Sequence, residues 1–130
     1  MPKILIVDDD PIIRNLLVQI LEPFEERGVD LLTAENGKIA LETVTQERPD
    51  LIFLDVMMPK MNGFEVCTAI KSDEEMKNAY IVMLTAKGQD TDRQKAKDAG
   101  ANLYITKPFT LNELLSTVSE VLHIDIGSDV

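Results

Sequence analysis

Apolar residues along the chain gather into five short runs, which are separated by longer segments of mixed polarity. The runs are rich in β-branched residues, and their consecutive positions are apolar rather than alternately apolar and polar. This pattern is typical of strands that are covered on both faces within a parallel sheet. It predicts five strands, at residues 4–7, 29–33, 51–54, 81–84 and 103–105.

The segment after the first run has the pattern of an amphipathic helix. Asp10 is a suitable N-cap, and Pro11 fits the first helical position, where the backbone N–H that proline lacks would have no partner within the helix. Apolar residues then recur at spacings of three and four, which places them on one face of a helix. The predicted buried face consists of Ile13, Leu16, Leu17, Ile20 and Leu21.

Four further helices are predicted between and after the remaining runs. The second begins at Asn36, and the third begins at Asn62. The fourth covers residues 90–99 and ends at Gly100, which can adopt the left-handed conformation of a C-cap. The fifth begins at Thr110, and both Asn62 and Thr110 are followed three residues later by glutamate, as in a capping box.

Strand and helix therefore alternate five times, and each gap is long enough for a crossover between parallel neighbours. The predicted fold class is α/β, an open doubly wound parallel sheet with helices on both faces. No linker or second domain is evident in the sequence. We expect one domain over residues 1–123 and a C-terminal tail, or the start of a linker, over residues 124–130.

Composition narrows the functional classes. The chain has 130 residues, with 13 basic and 23 acidic side chains and a formal net charge of −10. This excess of negative charge argues against direct binding to nucleic acid or to an anionic membrane surface. A single cysteine, Cys67, excludes an intramolecular disulfide, and the sequence shows no signal peptide or membrane span. A cytoplasmic location is therefore expected.

Candidate chemistry follows the predicted strands, because ligands of open parallel sheets bind outside the carboxyl ends of the strands. Asp8, Asp9 and Asp10 follow the first strand, and Asp55 follows the third. Thr85 follows the fourth strand and Lys107 follows the fifth. If these strands lie side by side, the carboxylates, the hydroxyl and the ammonium group converge on one edge of the sheet.

Clustered carboxylates repel one another, by about 4 kcal/mol for two charges roughly 4 Å apart at an effective dielectric constant near 20. Lys107 is one group that can offset the repulsion, and a hard divalent cation is another. Mg²⁺ prefers one or two carboxylates together with waters and phosphate oxygens. Since Asp10 is better placed as a helix cap, Asp8, Asp9 and Asp55 are left for the cation.

Other phosphate and cation motifs are missing. The sequence lacks both the dinucleotide fingerprint and the phosphate-binding loop of nucleotide hydrolases. The three aspartates after the first strand would repel a flavin phosphate, and they lack the glycine that a calcium-binding loop requires.

Four motifs taken in order carry a family resemblance. Residues 4–9 read Ile-Leu-Ile-Val-Asp-Asp, residues 55–59 read Asp-Val-Met-Met-Pro and lead to Asn62-Gly63, and Thr85-Ala86 and Lys107-Pro108-Phe109 follow. Together they resemble the receiver domain of two-component response regulators, in particular the chemotaxis regulators. The resemblance extends over nearly the whole chain. It implies a flavodoxin-like, five-stranded sheet with the strand order 2-1-3-4-5.

The resemblance also implies roles for the acidic residues. Asp55 would be the phosphoacceptor, a carboxylate nucleophile that forms an aspartyl phosphate. Asp8 and Asp9 would bind Mg²⁺ together with Asp55, and Met57 would add its backbone carbonyl. The domain would catalyse only its own phosphorylation and dephosphorylation, so it is not expected to be an enzyme in the usual sense.

Three further residues match the family's switch. Lys107 would neutralise phosphoryl oxygens, and its bond to Pro108 resembles the cis peptide of the family. Thr85 would donate a hydrogen bond to the phosphoryl group, and Tyr104 would turn inward as Thr85 moves. The expected outcome is a phosphorylation-dependent change between two existing conformations.

Partners are implied in the same way. The phosphoryl donor would be a histidine kinase or a phosphotransfer protein, since the only histidine, His123, is better explained as a helix-end residue. A downstream protein or output domain would contact the fourth helix, fifth strand and fifth helix, and phosphorylation could produce a homodimer. Two alternatives stay open: a small haloacid-dehalogenase-like phosphatase that uses Asp8, and a pseudo-receiver that acts without phosphorylation.

Overall fold

The structure is a computed structural model that describes residues 1–85 and 90–126. Strands and helices alternate along the chain as the sequence predicts, with strand ends that differ from the predicted ones by one residue at most. The strands are β1 (Lys3–Val7), β2 (Asp30–Ala34), β3 (Leu51–Asp55), β4 (Tyr80–Thr85) and β5 (Leu103–Thr106). The helices are α1 (Pro11–Glu25), α2 (Gly37–Glu47), α3 (Gly63–Lys71), α4 (Asp90–Ala99) and α5 (Leu111–Leu122).

The five strands form one parallel sheet in the order β2-β1-β3-β4-β5, which confirms the predicted fold class and strand order. Strand β1 lies between β2 and β3, so the chain reverses its direction of winding after β2. The register brings Asp55 beside Leu84, one residue before the end of β4, and Thr85 beside Thr106 at the end of β5. Four strand ends that carry polar residues are thus neighbours on one edge.

Alternate residues of each strand enter two separate apolar cores, one on each face of the sheet. In β1, Leu5 and Val7 belong to the core beneath α2, α3 and α4, whereas Ile4 and Ile6 belong to the core beneath α1 and α5. All four side chains are at most 1% exposed. This two-sided burial explains why the strands read as continuous apolar runs rather than as alternating patterns.

Helix starts follow the predicted capping residues. The side chains of Asp10, Asn36, Asn62 and Thr110 each accept a hydrogen bond from a backbone N–H in the first turn, and the last two form complete capping boxes. Gly100 follows α4 with a φ of 95°, in the left-handed region that glycine adopts without strain. These local signals are confirmed.

One residue of the predicted apolar face of α1 is misassigned. The centre of the buried stripe is formed by Leu17, Leu21 and Phe24. Leu16 lies about 100° around the helix from Leu17 and is 43% exposed, and Ile12, on the neighbouring side of the helix, is 75% exposed. Spacing alone placed Leu16 on the face, but the stripe that fits over the sheet is narrower than the run of apolar residues.

The C-terminal segment after α5 is described as far as Ile126. His123 ends the helix with a φ of 57°, and Ile124 and Ile126 then pack partly buried against the core beneath α1 and α5. Arg27 donates a hydrogen bond to the carbonyl of Asp125 at 2.9 Å. The rest of the predicted tail, residues 127–130, lies outside the described residues. Within the described parts of the chain, no helix has the length and apolar character that crossing a membrane requires.

Candidate functional site

The predicted site residues come from the carboxyl ends of four adjacent strands. Asp8 follows β1, Asp55 is the last residue of β3, and Thr85 is the last residue of β4. Lys107 follows β5, and its backbone N–H donates a hydrogen bond to the carbonyl of Thr85 at 2.7 Å. The sheet therefore fixes the backbone beneath each functional side chain, which limits its freedom of movement.

Three carboxylates meet at this edge. One oxygen from each of Asp8, Asp9 and Asp55 lies within 4.8 Å of the other two. Asp8 and Asp55 are only 1% and 4% exposed, whereas Asp9 is exposed to solvent. Asp10 is not part of this cluster because its side chain caps α1, where it accepts from the N–H of Ile12 at 2.9 Å. The structure thus brings together the three aspartates that the sequence grouped and places Asp10 apart from them.

Lys107 forms ion pairs with both buried carboxylates. Its Nζ lies 3.3 Å from Oδ1 of Asp55 and 3.7 Å from Oδ2 of Asp8. The bond between Lys107 and Pro108 is cis, as the resemblance implied. A single ammonium group at these distances can neutralise only part of the charge of three carboxylates, so the cluster keeps a net negative charge.

One oxygen of Asp8 lacks a hydrogen bond. Oδ1 of Asp8 accepts from the backbone N–H of Asp10 at 2.9 Å, but the buried Oδ2 has no hydrogen-bond partner within the described residues. Buried carboxylate oxygens in proteins are normally satisfied, because leaving one unpaired costs about 1–3 kcal/mol or more for a charged group. This buried oxygen has no hydrogen bond in the described part of the chain, only the 3.7 Å ion pair with Lys107, and it lies beside two other carboxylates. It fits the oxygen donors that a hard divalent cation prefers.

The pKa values of the buried aspartates reflect the lack of compensating positive charge at the cluster. Burial and, to a smaller extent, the neighbouring Asp8 carboxylate together raise the pKa of Asp55 to about 6, while Lys107 opposes both effects. Burial also raises the pKa of Asp8. Both shifts mean that the charged carboxylates are unfavourable without an additional positive charge.

Thr85 and Tyr104 both contact α4. Thr85 is fully buried, and its hydroxyl donates a hydrogen bond to Oδ2 of Asp92 at 3.3 Å. Tyr104 is half-buried, and the guanidinium carbon of Arg93 lies 5.2 Å from the centre of its ring. The two residues expected to act in the switch are thus held by consecutive residues of one helix. Ala86 and Lys87, which follow Thr85, lie outside the described residues.

The segment after β3 passes close to Asp55. Met57 is 68% exposed, and its backbone N–H lies 3.4 Å from Oδ1 of Asp55. The predicted role of its backbone carbonyl as a metal ligand stays a prediction. Gly63 begins α3 so close to β3 that a Cβ atom would collide with the backbone oxygen of Asp55, which explains why glycine is needed there.

Arg14 is a residue at the site that the sequence reasoning missed. Its guanidinium donates a hydrogen bond to the backbone carbonyl of Asp8 at 2.8 Å. This carbonyl belongs to the peptide that joins Asp8 to Asp9, so the contact fixes the orientation of the link between two carboxylates. An arginine one turn into a helix gives no sequence signal of such a role, because the contact depends on how α1 packs on β1.

Comparison with known proteins identifies the family. The family model for the response regulator receiver domain matches residues 4–119. The chain is 43% identical over 122 residues to the DNA-binding dual master transcriptional regulator RpaA of Synechocystis sp., and the match covers 94% of this chain and 49% of RpaA. It is 38% identical to Protein PilH of Pseudomonas aeruginosa, where the match covers 94% of this chain and 98% of PilH.

Solved structures show the same similarity. The chemotaxis protein CheY4 of Vibrio cholerae superposes with a TM-score of 0.82 at 36% identity, covering 93% of this chain and 98% of CheY4. A putative response regulator from Chloroflexus aurantiacus superposes with a TM-score of 0.85 at 32% identity, covering 95% of this chain and 100% of that one. The site described above lies at the motifs on which the family resemblance was based.

The relatives differ in length. The chain spans about half the length of the transcriptional regulators that it matches, including RpaA, but nearly all of PilH and CheY4. Neither the phosphatase nor the pseudo-receiver alternative is supported by these comparisons. Sequence, fold and matches agree that this chain belongs to the receiver domains of two-component response regulators.

Proposed function

We propose that Asp55 accepts a phosphoryl group and that the resulting aspartyl phosphate changes the contacts that this domain makes with a partner. The observation that carries the proposal is the cluster of Asp8, Asp9 and Asp55, in which the buried Oδ2 of Asp8 has no hydrogen bond within the described residues and Lys107 lies 3.3 Å from Asp55. A negative cluster that lacks sufficient counter-charge supports a site for a cation and for a charged reacting group.

In the proposed reaction a carboxylate oxygen of Asp55 attacks the phosphorus of a phosphohistidine or of a small acyl phosphate. An O–P bond forms on Asp55, and the bond from phosphorus to the donor's nitrogen or oxygen breaks, so the leaving group retains that electron pair. Mg²⁺, when bound, supplies positive charge to the phosphoryl oxygens. Asp8, Asp9, Asp55 and the backbone carbonyl of Met57 would hold the ion, and Lys107 would stabilise the oxygens from the other side.

The added phosphoryl group carries about −1.5 to −2 charge and three acceptor oxygens. We propose that Thr85 donates to one of these oxygens and that Tyr104 responds by turning inward. The face formed by α4, β5 and α5 would then change, because both residues contact α4 in the present structure. A ligand shifts such an equilibrium only by its differential affinity for the two states, and the phosphoryl group supplies that difference here.

The partners follow from this reaction. A histidine kinase or phosphotransfer protein would donate the phosphoryl group, and a downstream protein or output domain would bind the face formed by α4, β5 and α5. A homodimer formed on phosphorylation through that face is a further outcome of the same switch. We place the reaction in the cytoplasm, where such donors would meet the domain.

The test is intact mass after incubation with acetyl phosphate, with and without Mg²⁺. The wild-type chain should gain one phosphoryl group in the presence of Mg²⁺, and Asp55→Asn should gain none. Asp50→Asn is a matched control, because Asp50 is an exposed aspartate whose Oδ2 accepts from the backbone N–H of Lys3, away from the acidic cluster. Equal labelling of wild type and Asp55→Asn would overturn the assignment.

Lys107→Ala separates the chemistry from the switch. The variant should fold and accept a phosphoryl group on Asp55, but it should bind a phosphorylation-dependent partner no better than the unmodified chain does. The physical reason is that the ammonium group would no longer respond to the new charge. Partner binding equal to that of the phosphorylated wild type would contradict the role of Lys107.

A further inference from the structure

We propose that Asp92 is a positioning residue that holds the domain in its unphosphorylated conformation by competing with the phosphoryl group for the hydroxyl of Thr85. This inference rests on the proposed function of Asp55 and Thr85. Its basis is one contact: the Thr85 hydroxyl donates a hydrogen bond to Oδ2 of Asp92 at 3.3 Å.

The position of Thr85 makes this contact consequential. Thr85 is the last residue of β4, its side chain is fully buried, and its backbone carbonyl is tied to the N–H of Lys107. A hydroxyl group has a single proton to donate. The hydroxyl of Thr85 therefore cannot fully serve Asp92 and a phosphoryl oxygen at the same time, and formation of the second hydrogen bond requires loss of the first.

The competitor is a carboxylate, which matters for the strength of the contact. Hydrogen bonds to an ionised acceptor are roughly twice as strong as those between neutral groups. Asp92 is only half-buried, so water can replace Thr85 as its donor once the contact breaks. The contact is thus strong enough to favour the resting state, yet its loss does not leave a buried charge without a partner.

Asp92 also links the site to a surface. It lies on α4, and the next residue, Arg93, lies with its guanidinium carbon 5.2 Å from the ring centre of Tyr104. Release of Thr85 from Asp92 therefore loosens the same turn of helix that holds Tyr104. In this account the first effect of phosphorylation on α4 is the loss of a hydrogen bond.

The experiment measures the rate at which Asp55 is phosphorylated by acetyl phosphate in Mg²⁺, by intact mass over time. Asp92→Asn should raise this rate by about threefold to tenfold, the range expected when one hydrogen bond to the resting state is weakened. The matched control is Asp98→Asn on the same helix, because Asp98 accepts from Gln94 at 2.9 Å and not from Thr85. Its rate should equal that of the wild type.

A double variant separates the hydrogen bond from a simple change of charge. In a Thr85→Val background the hydroxyl is absent, so Asp92→Asn should no longer change the rate. Thermal melting of each variant shows that it is folded. The non-additivity of the two substitutions is the signature of a direct contact, and a merely structural role of Asp92 would not produce it.

The outcomes are distinguishable. Absence of an adduct on the wild-type chain would overturn the proposed function and this inference with it. An adduct on the wild type with equal rates for Asp92→Asn would overturn the inference alone. An increase of the same size in the Thr85→Val background would also overturn it, because the effect would then come from charge and not from the hydroxyl of Thr85.

Discussion

The two edges of the sheet use the same residue types in opposite ways. At the edge formed by the amino ends of the strands (the amino edge), Lys3 forms an ion pair with Glu47 at 2.8 Å, and the two side chains are 30% and 43% exposed. The backbone N–H of Lys3 donates a hydrogen bond to Asp50. At the carboxyl edge, Lys107 lies 3.3 Å and 3.7 Å from Asp55 and Asp8, whose side chains are 6% and 2% exposed. The amino edge has a short ion pair with a hydrated carboxylate, and the carboxyl edge has longer ion pairs with buried carboxylates, although both lysine side chains are 30% exposed.

This difference separates charges that are compatible with a stable fold from charges that are available for binding and reaction. A hydrated ion pair contributes little to net stability, but it also costs little to form. Three carboxylates around one ammonium group cost stability, because burial penalises the charges of Asp8 and Asp55 and the positive charge is insufficient. A region that costs stability in the resting protein needs a ligand to compensate, and the carboxyl edge is the region with that property.

The largest expected effect is stabilisation by Mg²⁺. Since the ion would bind the folded carboxylate cluster and not the unfolded chain, it should add about 2.7 kcal/mol to the free energy of unfolding at a hundred times its dissociation constant. Denaturant unfolding with and without Mg²⁺ measures this. Asp8→Asn should lose most of the effect, because it removes a negative charge from the buried cluster.

Glu47→Gln is the matched control for that measurement, because it removes a carboxylate from the amino edge. It should retain the full response to Mg²⁺. An equal response in Asp8→Asn and Glu47→Gln would show that the ion acts on the general negative charge of the chain rather than on the cluster.

The second effect is stabilisation by Asp55→Asn in the absence of Mg²⁺. The folded pKa of Asp55 is raised to about 6 from an ordinary value of 3.8, so its protonated form is favoured in the folded state. Protonation of Asp55 therefore stabilises the wild-type fold fully below about pH 4, and this stabilisation is lost as the pH rises through about 6. At pH values above the folded pKa of Asp55, Asp55→Asn should be more stable than the wild type by on the order of 2 kcal/mol.

Measuring the unfolding free energies of both chains between pH 4 and pH 8 tests the sign. The difference between Asp55→Asn and wild type should widen as the pH rises from about 4 to about 7, through the folded pKa of Asp55, and stay constant above that. A difference for Asp55→Asn that narrows with rising pH would mean that the folded state favours the charged carboxylate.

The contrast between the edges also explains what could be predicted from the sequence. Continuous apolar runs and capping residues are local signals, and they located every strand and the starts of the helices. The grouping of Asp8, Asp9 and Asp55 followed from one rule about the carboxyl ends of parallel strands. The strand order came from the family resemblance, since periodicity does not determine which strands are neighbours.

The features that the sequence did not predict depend on packing between elements. Leu16 has the spacing of a buried residue but lies beside the stripe that contacts the sheet. Arg14 and Asp92 are ordinary charged residues of helices until the folded structure places them against Asp8 and Thr85. Contacts between residues on different elements carry no local pattern, so they are found only in three dimensions.

A third, smaller effect concerns Arg14, which supports the acidic cluster from outside. Arg14→Met should weaken the affinity for Mg²⁺ by roughly tenfold, as expected when a group that orients metal ligands is removed. Isothermal titration with Mg²⁺ measures the dissociation constant. Arg27→Met is the matched control: Arg27 also donates to a backbone carbonyl, that of Asp125, but it does not contact the site. Equal affinities in both variants would contradict the role of Arg14.

The smallest effect is expected where the charges are best paired. Glu47→Gln breaks the contact of 2.8 Å with Lys3, the shorter of the two kinds of lysine contact compared here. Because both side chains remain hydrated, the melting temperature should fall by no more than about 2 °C, and the difference should vanish in high salt. A fall that is larger, or that persists in high salt, would mean that short distance matters more than hydration. It would then be wrong to infer the roles of the two edges from burial.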